Sequence, residues 1–335
     1  MKAYNLHGIN DLRYEDVEIP ELNPEWALVK VKASGICSSD IPRIFTKGTY
    51  HFPTIPGHEF SGIVEQVNSS KRELIGKKVS AFPLIPCMKC TQCKLGHYEM
   101  CDCYDYIGSR RDGGFAEYVA VPIWNLVFLD DNVTFEDAAM MEPLSVAVHA
   151  VKKLEVKFGD TVAIVGTGMI AFACAHIALM NGASKVSVLG RTNDKKKLIE
   201  NIDNLEFLTI DSVEKKFDKV IEAVGSNDAI DKAIGICNSG GIIVMIGNPD
   251  GDILLKQDVY WRILRKQLIV KGTWNSSYNG LGKSDWTEAQ KLIASEGNMI
   301  NKLITHRFKS DSLAVGLDLM KNKKEIYCKV MMLWN

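Results

Sequence analysis

The sequence lacks an excess of charge of either sign. Its 335 residues include 40 Lys and Arg against 41 Asp and Glu, a formal net charge of −1. A protein that binds DNA or RNA through its phosphates normally carries a basic patch or stripe. The balanced charge therefore predicts that nucleic acid is not the partner of this chain.

The first residues, MKAYNLHGINDLRYEDVEIPEL, lack the apolar segment of a secretory signal peptide. We therefore expect a cytoplasmic protein. One stretch, residues 162–180, approaches the roughly 20 apolar residues that a membrane-spanning helix needs. Its two glycines follow a β-branched run in a G-x-G pattern, which favours a strand, a tight turn and a buried helix. We predict no membrane association.

The chain has no internal repeat and no low-complexity segment, and its length allows two domains. Residues 1–145 contain short apolar runs between turn residues, which predicts a mainly antiparallel, barrel-like β domain. Residues 146–275 alternate strand and helix patterns, including a predicted charged helix, DKKKLIENI. This alternation is typical of a doubly wound parallel sheet, so the fold class is α/β. Residues 276–335 are expected to return to the first domain.

Nine cysteines, an odd number without a secretion signal, argue against a disulfide framework. Four of them, Cys87, Cys90, Cys93 and Cys101, follow x2, x2 and x7 spacing. Tetrahedral zinc takes four soft ligands, and a C-x2-C step presents two sulfur atoms to one ion. A redox C-x-x-C would leave two members without a role. The pattern predicts a structural zinc site, with Cys103 as an alternative fourth ligand to Cys101.

A glycine motif follows the apolar run VAIV. Gly166, Gly168 and Ala171 match G-x-G-x-x-G/A between a predicted strand and a predicted helix, which predicts dinucleotide binding. Gly166 permits the turn, Gly168 lets the backbone approach the pyrophosphate, and the small Ala171 lets helix and strand pack closely. The pyrophosphate would then meet the positive end of the helix.

The next strand, KVSVL, lacks the acid that a dinucleotide fold preferring NAD normally places at its end. Gly190 and Arg191 stand there instead, followed by Lys195 and Lys196. A guanidinium grips a 2′-phosphate in forked geometry, so this segment favours NADP(H) as cofactor, with NAD(H) as the alternative. The other interpretation is a loop arginine in a solvated, lysine-rich turn.

Scattered metal-ligand types occur elsewhere: Cys37 in SGICSSD, His58 and Glu59 in PGHEFSG, and Glu142 in MMEPLSV. Spacing alone does not assemble them into a site. In this order, however, with the four-cysteine segment, DGGFAEY and the glycine motif, the chain resembles the zinc-dependent medium-chain dehydrogenase/reductase superfamily over essentially its whole length. The resemblance implies a GroES-like β-barrel catalytic domain and a Rossmann cofactor domain.

The same resemblance implies roles for individual residues. Cys37, His58 and Glu142 would ligate a catalytic zinc, with Glu59 as a fourth or exchanging ligand. Two zinc ions per chain are therefore expected, one catalytic and one structural. The catalytic zinc would act as a Lewis acid on a substrate hydroxyl while hydride passes to the nicotinamide. Ser39 matches the family's hydroxyl that passes the proton onward.

By the same resemblance, Glu142 stands where alcohol dehydrogenases supply a second cysteine, as in polyol and threonine dehydrogenases. The stretches SSDIPRIF, YDYIGSRRDGGFAEY and RILRKQL resemble those of members that act on galactitol 1-phosphate. The expected reaction interconverts this polyol phosphate and tagatose 6-phosphate, with Arg43, Arg110 and Arg111 as candidates to bind the phosphate.

Two alternatives stay open. One is a sorbitol- or xylitol-type dehydrogenase of unphosphorylated polyols, and the other is an inactive nucleotide-binding structural protein. The sequence departs from the family pattern at Ser38, where glycine is common, and at Gly190–Arg191. By resemblance alone, a homo-oligomer, either a dimer or a tetramer, is expected.

Overall fold

The structure is a computed structural model that describes residues 1–280 and 282–335. The chain forms two compact units. The first unit comprises Met1–Pro143 and Ser277–Asn335, and the second comprises Leu144–Ser276.

Seventeen strands and nine α-helices follow one another along the described chain, residues 1–280 and 282–335. The strands are β1 (Lys2–Gly8), β2 (Asp11–Asp16), β3 (Trp26–Ile36), β4 (Glu59–Val67), β5 (Lys78–Ala81), β6 (Leu84–Ile85), β7 (Asp105–Tyr106), β8 (Tyr118–Pro122), β9 (Leu126–Phe128), β10 (Thr161–Val165), β11 (Lys185–Gly190), β12 (Leu205–Thr209), β13 (Phe217–Glu222), β14 (Cys237–Met245), β15 (Ile269–Gly272), β16 (Ile304–Lys309) and β17 (Lys329–Leu333). The α-helices are α1 (Asp40–Pro42), α2 (Thr91–Lys94), α3 (Phe135–Ala139), α4 (Met141–Leu154), α5 (Met169–Met180), α6 (Asn227–Ile236), α7 (Gln257–Arg265), α8 (Asp285–Lys302) and α9 (Leu313–Asn322). A π-helical turn covers Arg43–Lys47, and 3₁₀ turns cover Arg72–Leu74, Tyr98–Met100, Ile123–Asn125, Lys196–Ile199, Ile210–Ser212 and Ser310–Ser312.

The first unit is built on a seven-stranded sheet in the order β16-β17-β3-β4-β5-β9, with β8 also paired to β3. The central strand β3 runs antiparallel to both β17 and β4. Because side chains alternate along a strand, its sequence WALVKVKASGI buries Ala27, Val29 and Val31 in a core that also contains Phe60 and Phe115. The C-terminal strand β17 thus lies beside the central strand of this sheet.

The second unit is a six-stranded sheet in the order β12-β11-β10-β13-β14-β15, and all of its neighbouring strands pair in parallel. This is the strand order of a Rossmann fold, which binds dinucleotides where the order reverses. The reversal lies beside β10, the first strand of the sheet in the chain. The glycine motif directly follows that strand.

The predicted α/β fold class, with a GroES-like domain and a Rossmann sheet, is confirmed by this architecture and by the relatives described below. The predicted charged helix over DKKKLIENI is wrong, because the structure has only the 3₁₀ turn Lys196–Ile199 there. Ile199 is buried, whereas Lys196, Lys197 and Glu200 are exposed. A segment with so little apolar surface to bury gains too little from packing to sustain a longer helix.

The apolar stretch 162–180 contains β10, the glycine turn and the largely buried helix α5. Within residues 1–280 and 282–335, no helix has the length and apolar character needed to cross a membrane.

Candidate metal and cofactor sites

The four spaced cysteines form one cluster. The sulfur atoms of Cys87, Cys90, Cys93 and Cys101 all lie within 4.8 Å of one another. Cys87 Sγ is 4.0 Å from Cys93 Sγ, and Cys90 Sγ is 3.9 Å from Cys101 Sγ. Four ligands about 2.3 Å from a tetrahedral zinc ion have sulfur atoms about 3.8 Å apart, whereas a disulfide needs about 2.05 Å. The geometry fits zinc and does not fit a disulfide.

Local turns produce this arrangement. The amide of Cys90 donates to Cys87 Sγ at 3.4 Å, and the amide of Cys93 donates to Cys90 Sγ at 3.5 Å. Backbone donors from Lys89 and Cys90 lower the pKa of Cys87 to about 6, which favours the thiolate that zinc binds. Cys103 is exposed and lies outside the cluster. Of the two alternative fourth ligands, the structure therefore brings Cys101 to the other three sulfur atoms.

A second cluster contains Cys37, which follows β3, and His58 and Glu59 at the start of β4. Their ligand atoms lie within 4.8 Å of one another. The register of β3 and β4 pairs Gly35 with Glu59, which brings the end of one strand beside the start of the other. Glu142, the second residue of α4, is 6% exposed. It lies close enough to His58, Glu59 and Cys37 for their charges to shift its pKa. Among the described residues it lies outside the 4.8 Å group.

Burial disfavours the ionised forms of two residues of the second cluster. Burial raises the pKa of Cys37 to about 11, and the nearby Glu59 and Asp40 add to the rise. Burial also raises the pKa of Glu142 to about 8, and no ion pair engages this carboxyl in the part of the chain that the structure describes. A divalent cation would favour the ionised thiol and carboxyl, and thiolate, imidazole and carboxylate are ligand types of catalytic zinc. The donor set therefore fits zinc.

Lys329 reaches this cluster from the C-terminal strand. It is 4% exposed, and its Nζ lies 2.5 Å from Glu59 Oε2 and 3.3 Å from the carbonyl oxygen of Ile36. Gly35 leaves room for the carboxylate, since a Cβ at that position would lie 2.2 Å from Glu59 Oε2. Glu59 thus has a cationic partner within the protein.

Asp40 is fully buried beside the same cluster. Its carboxylate accepts hydrogen bonds from the Cys37 amide at 3.0 Å and from Arg43 Nη1 at 2.6 Å. His58 Nδ1 lies 3.7 Å from Asp40 Oδ1 and makes no hydrogen bond to any of the residues that the structure describes. A metal-ligating histidine commonly directs its second ring nitrogen to a carboxylate, and Asp40 is placed for that role.

Two further side chains border the cluster. The Ser39 hydroxyl lies close enough to the Cys37 side chain to lower the pKa of that thiol. The ring of Tyr106 meets that of His58 edge to face, with 5.9 Å between the ring centroids. Ser39 therefore lies at the cluster, as the expected proton-transfer role requires.

The glycine motif forms the turn between β10 and α5. Gly166 has φ +129°, and a Cβ there would lie 3.2 Å from the carbonyl oxygen of Ala223. Gly168 precedes the first residue of α5 and has open space where a Cβ would be, while Ala171 is buried in the helix. The turn therefore leaves the N-terminus of α5 accessible, as binding of a pyrophosphate requires.

Gly190 ends β11 and has no room for a side chain. A Cβ there would lie 2.5 Å from Phe207 Cζ and 2.8 Å from Thr167 Cγ2. Arg191 follows on the surface, and Lys195 Nζ donates to the carbonyl oxygen of Thr167 at 3.1 Å. A carboxylate at position 190 is thus excluded sterically, and a lysine is held against the glycine motif.

The three candidate phosphate-binding arginines have different surroundings. Arg43 is bonded to Asp40, whereas Arg110 and Arg111 line a cavity of about 620 Å³ in the first unit. The Arg110 guanidinium lies 4.3 Å and 4.4 Å from the ring centroids of Tyr50 and Tyr104.

Arg111 forms an ion pair with Asp105. The described lining of the 620 Å³ cavity includes none of Cys37, His58, Glu59 and Glu142. Arg110 and Arg111 therefore line a cavity whose described wall contains none of the proposed zinc ligands.

Comparison with known proteins places the chain in a family. Residues 23–131 match the alcohol dehydrogenase GroES-like domain. The chain is 31% identical to galactitol 1-phosphate 5-dehydrogenase of Escherichia coli K12 over 325 residues, which covers 93% of this chain and 94% of the relative. The chain is a zinc-dependent medium-chain dehydrogenase/reductase. The predicted superfamily, the likeness to galactitol-1-phosphate 5-dehydrogenase and the assignment as an oxidoreductase are confirmed.

Other dehydrogenases are similar to this chain over almost its whole length. Erythritol/L-threitol dehydrogenase of Mycolicibacterium smegmatis is 30% identical, with 97% of this chain and 95% of the relative covered. The crystal structure of galactitol-1-phosphate dehydrogenase from Escherichia coli superimposes with a TM-score of 0.89 at 30% identity, covering 99% and 100% of the two chains. A zinc-binding dehydrogenase of Sinorhizobium meliloti 1021 bound to NADP superimposes with a TM-score of 0.88 at 28% identity, covering 99% and 98%. The chain therefore belongs with the polyol dehydrogenases of the superfamily.

Sequence reasoning missed two residues of this dehydrogenase. In the motif SGICSSD it assigns roles to Cys37 and Ser39 but none to Asp40, although a carboxylate three residues after Cys37 is a usable signal. It assigns no role to Lys329 either. The only sign of that residue is a lysine within the otherwise apolar strand YCKVMML, which turns out to be buried.

Proposed function

We propose that this chain interconverts a polyol phosphate and its ketose phosphate by hydride transfer to NADP, with galactitol 1-phosphate and tagatose 6-phosphate as the leading pair. The observation that carries the proposal is the likeness to galactitol 1-phosphate 5-dehydrogenase, which extends over 93% of the chain. The cluster of Cys37, His58, Glu59 and Glu142 supports it, since the reaction needs a Lewis acid at the substrate oxygen.

In this proposal Cys37, His58 and Glu142 hold the catalytic zinc, and Glu59 is a fourth or exchanging ligand. When bound, zinc lowers the pKa of a substrate hydroxyl. Ser39, which lies close to Cys37, passes the proton of that hydroxyl onward, accepting it while donating its own hydroxyl proton. Asp40 orients His58. Cys87, Cys90, Cys93 and Cys101 hold a structural zinc that orders their loop.

The deciding experiment measures kcat/KM for galactitol 1-phosphate, galactitol and sorbitol, each with NAD and with NADP. A preference of about tenfold or more for the phosphate ester is expected, since a charge-assisted hydrogen bond contributes about 1.5–3 kcal/mol. Equal or faster turnover of the free polyols would contradict the phosphorylated substrate. Zinc analysis adds a second test: protein holding only the four-cysteine ion would favour an inactive nucleotide-binding protein.

The proposed preference for NADP rests on Gly190 and Arg191. Gly168 and Ala171 would receive the pyrophosphate at α5, and Arg191, with Lys195 nearby, would contact the 2′-phosphate. Support comes from the absence of space for a side chain at Gly190 and from the NADP-bound relative of Sinorhizobium meliloti. Arg191→Ala should lower kcat/KM with NADP about 10- to 100-fold while NAD is little affected. An equal loss with both cofactors would contradict this role.

Oxidation of unphosphorylated polyols, as in sorbitol- or xylitol-type enzymes, is the second candidate. One observation favours it: Arg43 is already bonded to Asp40, and Arg111 to Asp105. In the phosphate proposal, Arg110→Ala and Arg111→Ala raise KM for galactitol 1-phosphate but not for sorbitol. Unchanged KM for both substrates would favour the second candidate.

We also propose that the chain is a homo-oligomer, a dimer or a tetramer. The edge strand β15 leaves Ile269 and Val270 exposed, and Trp261 and Leu264 of α7 are exposed as well. An open sheet edge with apolar side chains is a template for pairing with a second copy. Light scattering of the purified protein tests this, and a monomer at micromolar concentration would contradict it.

A further inference from the structure

We propose that Glu222 is a positioning residue for the cofactor, because its buried carboxylate shapes the turn that forms one wall of the dinucleotide crevice. This inference rests on the proposed binding of NADP at the glycine motif. It assigns a role to a buried acid that belongs to neither metal-ligand cluster and takes no part in the proposed hydride transfer.

Glu222 lies at the edge of the parallel sheet where a dinucleotide is expected. It is the last residue of β13, and the strand order reverses between β10 and β13. Ligands of such sheets bind outside the carboxyl ends of the strands, at the reversal. Two turns flank this point, the glycine motif after β10 and residues 223–225 after β13. A dinucleotide bound there lies against both turns.

The Glu222 carboxylate holds the second of these turns. The side chain is fully buried, and its Oε1 accepts hydrogen bonds from the amides of Val224 at 2.7 Å and Gly225 at 2.8 Å. Because β13 ends at Glu222, the sheet supplies no acceptor for these two amides, and a buried amide without an acceptor costs free energy. One carboxylate oxygen therefore satisfies both amides and fixes the turn.

The same residue ties this turn to the neighbouring strand ends. Its carbonyl oxygen accepts from the amides of Ile246 at 2.9 Å and Gly247 at 3.1 Å, directly after β14. Gly247 leaves room for the carboxylate, since a Cβ there would lie 2.6 Å from Glu222 Oε2. On the other side, the amide of Ala223 donates to the carbonyl oxygen of Val165, the last residue of β10, at 2.9 Å. The turn is thus bonded to the ends of both adjacent strands.

The turn places Val224 beside the glycine motif. Val224 is 49% exposed, and a Cβ on Gly166 would lie 3.2 Å from Val224 Cγ2. Ligand sites are lined mainly by apolar side chains, and Val224 offers such a surface at the reversal point. Without the carboxylate, the amides of Val224 and Gly225 need water as an acceptor, and we expect the turn to move away from the motif.

The test compares two carboxylates at opposite ends of β13. Asp218, near the amino end, likewise accepts from the amide of Thr161 at 2.9 Å and from Asn238 Nδ2 at 2.9 Å. The two acids are about 13 Å apart along an extended strand, so Asp218 lies away from the carboxyl edge. Glu222→Met and the matched control Asp218→Leu each replace a carboxylate by an apolar side chain of comparable size.

Fluorescence titration of the full-length protein gives Kd for NADPH and for NADH, and urea unfolding gives the stability of each variant. Glu222→Met should raise Kd for both cofactors about 10- to 100-fold, because two hydrogen bonds to a charged acceptor are lost. Asp218→Leu should keep both Kd values within about twofold of wild type, even where it lowers stability as much, because distant sites act independently. Glu222→Gln should restore binding, since its amide oxygen still accepts from both amides.

Two results would overturn the proposal: a folded Glu222→Met protein that binds both cofactors like wild type, or an equal loss of affinity in Asp218→Leu. If Glu222→Met does not fold, hydrogen exchange of the wild type carries the test. NADPH should then slow exchange of the segment 222–226, and unchanged exchange there alongside protection of α5 would overturn the proposal.

The same titrations separate this inference from the proposed function. A wild-type protein that prefers NADH would contradict the proposed NADP preference, while the effect of Glu222→Met would still be read with NADH. A wild-type protein that binds neither cofactor would contradict the cofactor site itself, and with it this inference.

Discussion

The two clusters of metal-ligand residues in the first unit are built in opposite ways. Cys87, Cys90, Cys93 and Cys101 come from one short segment, and backbone amides within its turns set their sulfur atoms. The cluster of Cys37, His58, Glu59 and Glu142 is collected from the residue after β3, the start of β4 and the start of α4, and all of its members except the half-buried Cys37 are buried. In the proposed function, the first donor set completes the coordination of a tetrahedral zinc ion, whereas the second leaves one position for the substrate. The proposed closed site is thus assembled by turns within one segment, whereas the proposed open site depends on the pairing of strands in the sheet.

The largest expected effect separates catalysis from stability. Cys37→Ser should lose the proposed catalytic zinc and lower kcat/KM by roughly 10³-fold or more, because a Lewis acid contributes several kcal/mol to the transition state. The four-cysteine zinc should stay, and the melting temperature should change little. Ser38→Ala, an exposed neighbour, is the matched control. A Cys37→Ser protein with full zinc content and activity would break the comparison.

The reverse pattern is expected for Cys93→Ser. This variant should lose the structural zinc and about 4 kcal/mol of unfolding free energy, since loss of a structural metal is among the most destabilising changes. Denaturant unfolding and limited proteolysis of the loop measure the effect. Unchanged stability together with zinc loss would show that the metal does not order this segment.

The pH dependence of stability is expected to distinguish the second cluster from the first. Burial raises the pKa of Glu142 from its ordinary value of 4.5 to about 8 in the folded state. Between these values the folded state keeps a proton that the unfolded chain releases. Unfolding free energy of chelator-treated protein should therefore fall as pH rises through this window, by up to about 1.4 kcal/mol per pH unit. The melting temperature as a function of pH measures the slope.

Two controls belong to this titration. Glu142→Gln should flatten the slope in chelator-treated protein, and zinc should flatten it in wild type because the metal neutralises the carboxylate. A slope that persists in Glu142→Gln would assign the proton to another group.

The smallest effect is expected at Cys103. This exposed thiol lies outside the four-cysteine cluster, so Cys103→Ser should change unfolding free energy by no more than about 0.5 kcal/mol. Zinc content per chain should match wild type, in contrast to Cys101→Ser. Loss of zinc from the Cys103 variant would mean that the ligand set differs from the cluster seen in the structure.

Local patterns predicted much of the fold. The alternation around DTVAIV and KVSVL and the glycines at 166 and 168 predicted a Rossmann sheet, because period and turn residues act within a few positions. The same reasoning overestimated DKKKLIENI, where helix formers are present but too little apolar surface is buried to hold a helix. Helix propensity alone therefore does not predict a helix where few side chains pack against the core.

For this protein, the sequence by itself determined the α/β fold class, the strand, turn and helix of the glycine motif and the grouping of the four cysteines, because each depends on neighbours within a few residues. Only the tertiary structure decided that Glu59 meets Lys329, which lies 270 positions further along the chain. That contact depends on β3 lying between β4 and β17 and on Gly35 having no side chain. Such contacts depend on sheet order and register, and no local sequence pattern specifies them.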